Sequence, residues 1–316
     1  MRRATTTILE PPPAGRKGVL RVSEIALLVA LAAMTGIACA FPARVPGMIR
    51  ISLATVAGLF VVSALALGEN EGGWRYWARE VLPVPVLPYM FMNLGQLIPL
   101  VNPRTCDQAL LAIDRAILGP ETQAALYTLP LPAWVADGLT LAYSTFYFLP
   151  VALLLVLAAR RDRFLPQVVA AVAITFIVSY AGYFLVPAYG PRTTVAQQRY
   201  QSLPGVVGDH VREKLDQWEK TKTDAFPSGH TMITLAVLYC ARRRNRTLYN
   251  ILLPLGSLLI LATVLLTYHY VIDVLAAVPL TVASLVLAGA LAGRVPRAAP
   301  GGIAAHRDDP PERGDS

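Results

Sequence analysis

His230 follows Pro227-Ser228-Gly229 at the head of one apolar segment, and His269 stands four residues before Asp273 at the head of another. On a helix, residues four apart share a face, so the Asp273 carboxylate can orient the His269 imidazole or accept its N–H. A histidine held that way is a competent nucleophile or base. The free N–H groups and dipole at a helix start favour an anion such as a phosphoryl group, which suits Pro-Ser-Gly-His. Gly229 allows close approach of the backbone, and Ser228 can cap the helix or donate a hydrogen bond. Arg192, restrained by Gly190-Pro191, offers a planar fork of donors to phosphate oxygens. Nucleophile, orienter, proton donor and charge clamp are the parts of a phosphoryl-transfer site. Taken singly, each residue reads as well as an anchor of a helix end. Asp273 weighs against that for the set, because an ionisable residue within an apolar span is costly and by default functional.

The elements that must hold these residues are membrane helices. Of the 316 residues, 55% are hydrophobic and 15% charged, against roughly 25% charged in soluble domains. That excludes an ordinary soluble enzyme. About eight apolar runs approach the ~20 residues needed to cross hydrocarbon. They are Val22 to Phe41, Ile49 to Leu67, Val81 to Leu100, Trp134 to Ala158, Val168 to Val186, His230 to Cys240, Leu248 to Leu266 and Tyr270 to Leu291. The third carries Pro83, Pro85 and Pro88, and the sixth is short, so both can be kinked or partly interfacial. The first run exceeds the 7–15 residues of a signal-peptide core and reads as a retained anchor.

The expected fold is an all-α, polytopic transmembrane bundle. Its organisation is a disordered tail over 1–21, N-terminal spans over 22–100, a catalytic membrane domain over 101–292 and a second disordered tail over 293–316. Arg160, Arg161 and Arg163 crowd one connection and Arg242, Arg243, Arg244 and Arg246 another. With eight spans, both fall on the side of the termini, which the positive-inside rule makes cytoplasmic. The protein is then a multi-pass cell-membrane protein with His230, His269 and Arg192 at the extracytoplasmic face. The net charge of +8 reads as an orientation signal, with no nucleic acid as partner. The spacing around Asp107, Asp114 and Arg115 fits a short amphipathic helix from Asp107 to Leu118 that lies on the membrane or caps the bundle. The charged loop from Thr193 to Thr223 reads as a solvated helix or as a lid. Three cysteines, odd in number and far apart, indicate neither disulfides nor a thiolate metal site.

Pro227-Ser228-Gly229-His230 followed by His269-Tyr-Val-Ile-Asp273 resembles the second and third motifs of the type 2 phosphatidic acid phosphatase superfamily, and within it the inositol phosphorylceramide synthase-like branch. The Tyr-rich, Pro-ended run Tyr143-Ser-Thr-Phe-Tyr-Phe-Leu-Pro150 and Asp114-Arg-Ala-Ile-Leu-Gly119 also look like that branch. The resemblance implies a six-helix catalytic core and a metal-independent reaction with no cofactor. It implies His269 as the nucleophile that becomes a phosphohistidine, Asp273 as its orienter and His230 as general acid and base. It leaves Ser228, Gly229 and Arg192 to hold the phosphoryl oxygens. The widespread lipid phosphatases carry Lys-x6-Arg-Pro and a Ser-Arg ahead of the third-motif histidine. Here Ala262 and Thr263 stand at the latter positions, and Gly-Pro-Arg192 stands in for the former.

The implied activity is transfer of a phosphoryl or phospho-headgroup unit from a lipid-linked phosphorylated substrate in the bilayer. Hydrolysis of a lipid or polyprenyl (pyro)phosphate is the alternative. A transporter relaying protons through His269 and Asp273 is a rival that predicts further charges buried mid-span. No oligomeric state is assigned.

Overall fold

The computed structural model describes residues 20–68, 73–218 and 221–294. The two expected tails fall outside these residues but for their inner ends, where the last helix runs on to Arg294. Among the described residues the chain is helical throughout, with no β-strand and one isolated bridge between Ala188 and Asp224. The helices are α1 (Val22–Ala40), α2 (Gly47–Leu67), α3 (Gly73–Val81), α4 (Pro83–Val101), α5 (Asp107–Leu118), α6 (Pro120–Thr128) and α7 (Ala133–Ser144). They continue with α8 (Leu149–Ala159), α9 (Leu165–Leu185), α10 (Gln197–Gln201), α11 (Val207–Trp218), α12 (Gly229–Arg244), α13 (Arg246–Leu265) and α14 (Val271–Arg294).

Lipid offers the backbone no hydrogen bonds, so apolar runs satisfy their own amides as helices. Side chains do the capping where the chain turns: Ser228 accepts from Thr231 N at the head of α12, and Asn245 from Leu248 N at the head of α13. Pro150 breaks the expected fourth span. Its ring lacks an N–H and clashes with the carbonyl one turn earlier. The chain passes through a 3-10 turn at Thr145–Tyr147 and bends by 48° between α7 and α8.

Six helical stretches are long and apolar enough to cross a membrane: α1, α2, Gly73–Val101 (α3 with α4), α9, α13 and Val271–Ala292 of α14. The bent pair α7–α8 raises the number to seven. The expected sixth, α12, has 16 residues, or about 24 Å at 1.5 Å per residue. That is short of the ~30 Å hydrocarbon core, and α12 lies enclosed by α8, α9, α13 and α14. By length and composition six or seven of the eight expected stretches qualify, and α12 runs from the His230 end of the bundle to the Arg244–Asp162 end as a short, enclosed helix.

At the centre is α9, against which α1, α4, α8, α12 and α14 pack. Residues Val168 to Thr175 are buried on every side, the pattern of a helix surrounded by others. The outer helices show the opposite: Val278, Val282 and Val286 form an exposed apolar stripe on α14, as do Leu59 and Val62 on α2. Contiguous apolar surface of that kind suits lipid. The two Arg-rich connections meet at one end of the bundle, where Arg244 donates to both oxygens of Asp162 and its guanidinium lies 3.9 Å from the Phe164 ring centroid. All three cysteines are free.

A fully buried pair ties α1 to α3. Arg79 donates to Glu24 through Nε at 2.6 Å and Nη2 at 2.7 Å, and Nη1 reaches the Gly68 carbonyl at 2.8 Å. Both side chains are fully buried. Removing one partner strands the other charge. Glu24→Ala is therefore expected to lower stability by about 3–5 kcal/mol, read as a fall in the unfolding temperature in detergent, and the double change Glu24→Met/Arg79→Met to recover most of the loss.

Candidate active site

His230 sits in the first turn of α12 and His269 in the turn joining α13 to α14. His269 Nε2 and His230 Nδ1 are 3.3 Å apart, and both rings are buried. His269 Nδ1 lies 2.7 Å from the carbonyl oxygen of Ala225. A carbonyl can only accept, so Nδ1 carries the proton and the neutral ring has its lone pair on Nε2, facing His230. The contact between the rings then requires Nδ1–H on His230, which leaves His230 Nε2 as the open nitrogen. That atom is buried with no hydrogen-bond partner among the described residues.

The expected helical pairing of His269 with Asp273 needs revision. His269 precedes α14 and does not lie on its surface, and Asp273 Oδ2 is 3.4 Å from His269 Nδ1, farther than the Ala225 carbonyl. Asp273 Oδ2 accepts instead from Tyr270 N at 2.8 Å, and the Asp273 carbonyl accepts from Ser228 N at 3.1 Å. One residue thus joins the His269 turn to the Pro-Ser-Gly-His loop. Ser228 is fully buried, its oxygen accepting from both Thr231 N and the Thr231 hydroxyl. Gly229 packs directly against the Tyr183 hydroxyl of α9, where a Cβ has no room.

Arg192 is buried on the other side of the His269 turn. Its backbone N donates to the Thr267 carbonyl at 2.8 Å, and its guanidinium lies 4.4 Å from the centroid of Tyr268. Gly190 makes this turn possible: its φ of 86° is left-handed, and a Cβ there collides with the Tyr268 carbonyl. Tyr268 stacks on Tyr143 at 4.2 Å, Tyr143 stacks on His230 at 4.5 Å, and Phe146 closes the far face of His230 at 4.3 Å. A continuous column therefore runs Arg192, Tyr268, Tyr143, His230, Phe146. Tyr143 and Phe146 come from the Tyr-rich fourth run, and the bend at Pro150 brings them in. Tyr268 and Tyr270 are buried, whereas Tyr189 is exposed. The first two are therefore packed parts of the site and not membrane-interface aromatics.

The sequence pattern of the PAP2 superfamily matches residues 108–287, a stretch that includes Arg192, Ser228, Gly229, His230, His269 and Asp273. The chain belongs to the PAP2 superfamily. It is similar to a PA-phosphatase related-family protein of Dictyostelium discoideum, with 28% identity over 120 residues that cover 36% of this chain and 22% of that protein. The chain thus matches less than a quarter of that relative's length. No solved structure gives a significant match.

In this PAP2 superfamily chain the site is also held from outside the bundle by α5, which forms over the residues expected from its amphipathic pattern. Its two carboxylates do not face solvent. Asp107 and Asp114 are buried and accept backbone N–H groups from the Arg192 loop and the His269 turn. Tyr127 of α6 donates to Asp114 at 2.8 Å; burial first, and then the Asp114 carboxylate, hold its phenol above the usual tyrosine range, so it stays a donor. Sequence reasoning assigned neither acid to the site. The loop from Thr193 to Thr223 folds into α10 and α11, and α11 packs on α7. Asp137 accepts from Gly208 N at 2.7 Å, and buried Arg212 donates to Thr140 Oγ1 at 3.1 Å. Among the described residues, no three His, Cys, Asp or Glu side chains are grouped to hold a metal.

An apolar cavity of about 210 Å³ opens beside His230. Gly229 and His230 line it, together with Leu87 of α4, Leu154 of α8 and Val172 and Phe176 of α9. It therefore leads from the His230 side of the site into the apolar middle of the bundle. The geometry offers a nucleophilic nitrogen, a second imidazole in contact with it, a buried guanidinium and an apolar slot.

Proposed function

We propose that this PAP2 superfamily membrane protein transfers a phosphoryl or phospho-headgroup unit from a lipid-linked phosphate through a phosphohistidine at His269, as in the inositol phosphorylceramide synthase-like branch. The observation that carries this reading is the 3.3 Å contact between His269 Nε2 and His230 Nδ1, with His230 at the wall of an apolar cavity. A phosphorylated amphiphile fits that combination: its phosphate lies at the histidines and its chain in the slot. His269 Nε2 attacks phosphorus, forming a P–N bond as the P–O bond to the leaving group breaks, and protonated His230 gives the leaving oxygen its proton. In the second step His230 takes a proton from the acceptor hydroxyl, whose oxygen displaces His269 from phosphorus. Ala225 and Asp273 orient the nucleophile, while Arg192 with the Ser228–Gly229 turn balances the phosphoryl charge. No metal or other cofactor enters this scheme. The site faces the extracytoplasmic side of the cell membrane, with both termini cytoplasmic.

Hydrolysis, with water as acceptor, is the second reading, favoured by the similarity to a PA-phosphatase related-family protein. Proton-coupled transport is disfavoured, because the buried charges Glu24 and Arg79 pair with each other and form no relay toward His269. The test is product analysis with a labelled lipid phosphate in detergent, with and without added polyol or lipid alcohols. The transferase reading expects an acid-labile, base-stable phosphoenzyme and a new phosphodiester or phosphomonoester that depends on the alcohol. Free phosphate alone identifies the hydrolase. Neither product, with no phosphoenzyme under single-turnover conditions, refutes both.

A further inference from the structure

Asp107 opens α5 and Asp114 lies about two turns further along the same face. Each is buried, and each accepts two successive backbone N–H groups and one phenol. Asp107 takes Tyr189 N at 3.1 Å, Gly190 N at 2.9 Å and the Tyr270 hydroxyl at 3.0 Å. Asp114 takes Val271 N at 2.8 Å, Ile272 N at 2.7 Å and the Tyr127 hydroxyl at 2.8 Å. We propose that α5 is the positioning element of the site, with Asp107 setting the Arg192 loop and Asp114 setting the His269 turn.

The physical need for both is visible in the backbone. Val271 and Ile272 head α14, where N–H groups have no partner within the helix. The usual remedy is a side chain at the N-cap, but Tyr270 occupies that place and turns its hydroxyl to Asp107. Asp114 supplies the missing cap from another helix, and its charge lies at the positive end of the α14 dipole. This fixes the chain two residues after His269 and so the aim of Nε2. Asp107 does the same two residues before Arg192, at the left-handed Gly190. Because both carboxylates belong to one rigid helix, α5 sets the spacing between charge clamp and nucleophile.

The inference rests on the proposed phosphoryl transfer through His269, and it predicts a division of kinetic effects. An Asn keeps one acceptor oxygen and presents an NH2 group to the other amide, so each substitution loosens the loop whose two backbone N–H groups its carboxylate holds. Asp114→Asn is expected to lower kcat about 10- to 100-fold with KM within about 3-fold, since a nucleophile misplaced by about 1 Å costs up to ~100-fold. Asp107→Asn is expected to raise KM about 10-fold with kcat within about 3-fold, the mark of lost uniform binding. The assay uses dioleoyl phosphatidate in detergent micelles, with wild type and His269→Ala alongside. Hydrogen exchange should quicken over 269–273 in the first variant and over 188–193 in the second. If an Asn variant does not accumulate as folded protein, Asp107→Glu and Asp114→Glu keep the charge and should show the same division. Equal losses of kcat in both, or wild-type constants in folded variants, overturn the inference. Should wild type and His269→Ala match each other, the proposed reaction itself falls; should His269→Ala alone be inactive, only the role of α5 falls.

Discussion

Replacing His269 by Ala is expected to abolish turnover, with a loss of roughly 10⁴-fold or more, the scale seen when a covalent nucleophile is removed. The residue has no substitute in the site. His230 presents its protonated Nδ1 to the His269 side, and its ring is packed against Tyr143 and Phe146. The phosphoenzyme should vanish with the activity, because the P–N bond has nowhere else to form. His269→Gln provides a control for packing, since it refills much of the ring's volume without a nucleophilic nitrogen, and it should be as inactive as the Ala variant. A labelled adduct surviving in either variant places the covalent link elsewhere.

His230→Ala is expected to show a loss that depends on the leaving group. A general acid contributes about 10²–10⁴-fold when the departing alkoxide needs a proton, and little when it does not. Turnover of a lipid alkyl phosphate should therefore fall within that range. Release of nitrophenolate from 4-nitrophenyl phosphate should fall less than about 10-fold in the first half-reaction and then stall, because the phosphoenzyme lacks a base to activate its acceptor. The readout is a burst of nitrophenolate close to one per site, followed by slow turnover. Equal losses for both leaving groups would assign His230 a packing role. The two imidazoles, 3.3 Å apart, share their protons, so the wild-type pH profile should be bell-shaped, with limbs belonging to the pair.

The local features of the site are legible in the chain. Pro-Ser-Gly-His and the later His with its Asp announce themselves by residue type, and the Gly-Pro before Arg192 marks a turn of restricted shape. Apolar runs identify the spans because lipid demands helices of a given length. Even α5 is readable, since its apolar residues recur at helical spacing. Its carboxylates read as the solvated side of an amphipathic helix, because nothing in a 3.6-residue period tells a wet face from one that meets another loop. The Tyr-rich fourth run was visible as a pattern, but its use was not: only the bend at Pro150 turns Tyr143 and Phe146 onto His230.

The sequence by itself therefore determined the chemistry on offer, two histidines and an arginine at the ends of apolar helices, because residue types and short-range spacing are local properties. Tertiary structure decided how that chemistry is aimed. The carbonyl that sets the His269 tautomer comes from Ala225, 44 residues away, and the carboxylates that fasten the site reach Val271 from 157 positions away and Tyr270 from 163. Backbone groups carry no residue identity, and contacts at such separations leave no period in the chain. They exist only once α5, the two loops and the head of α14 are packed together.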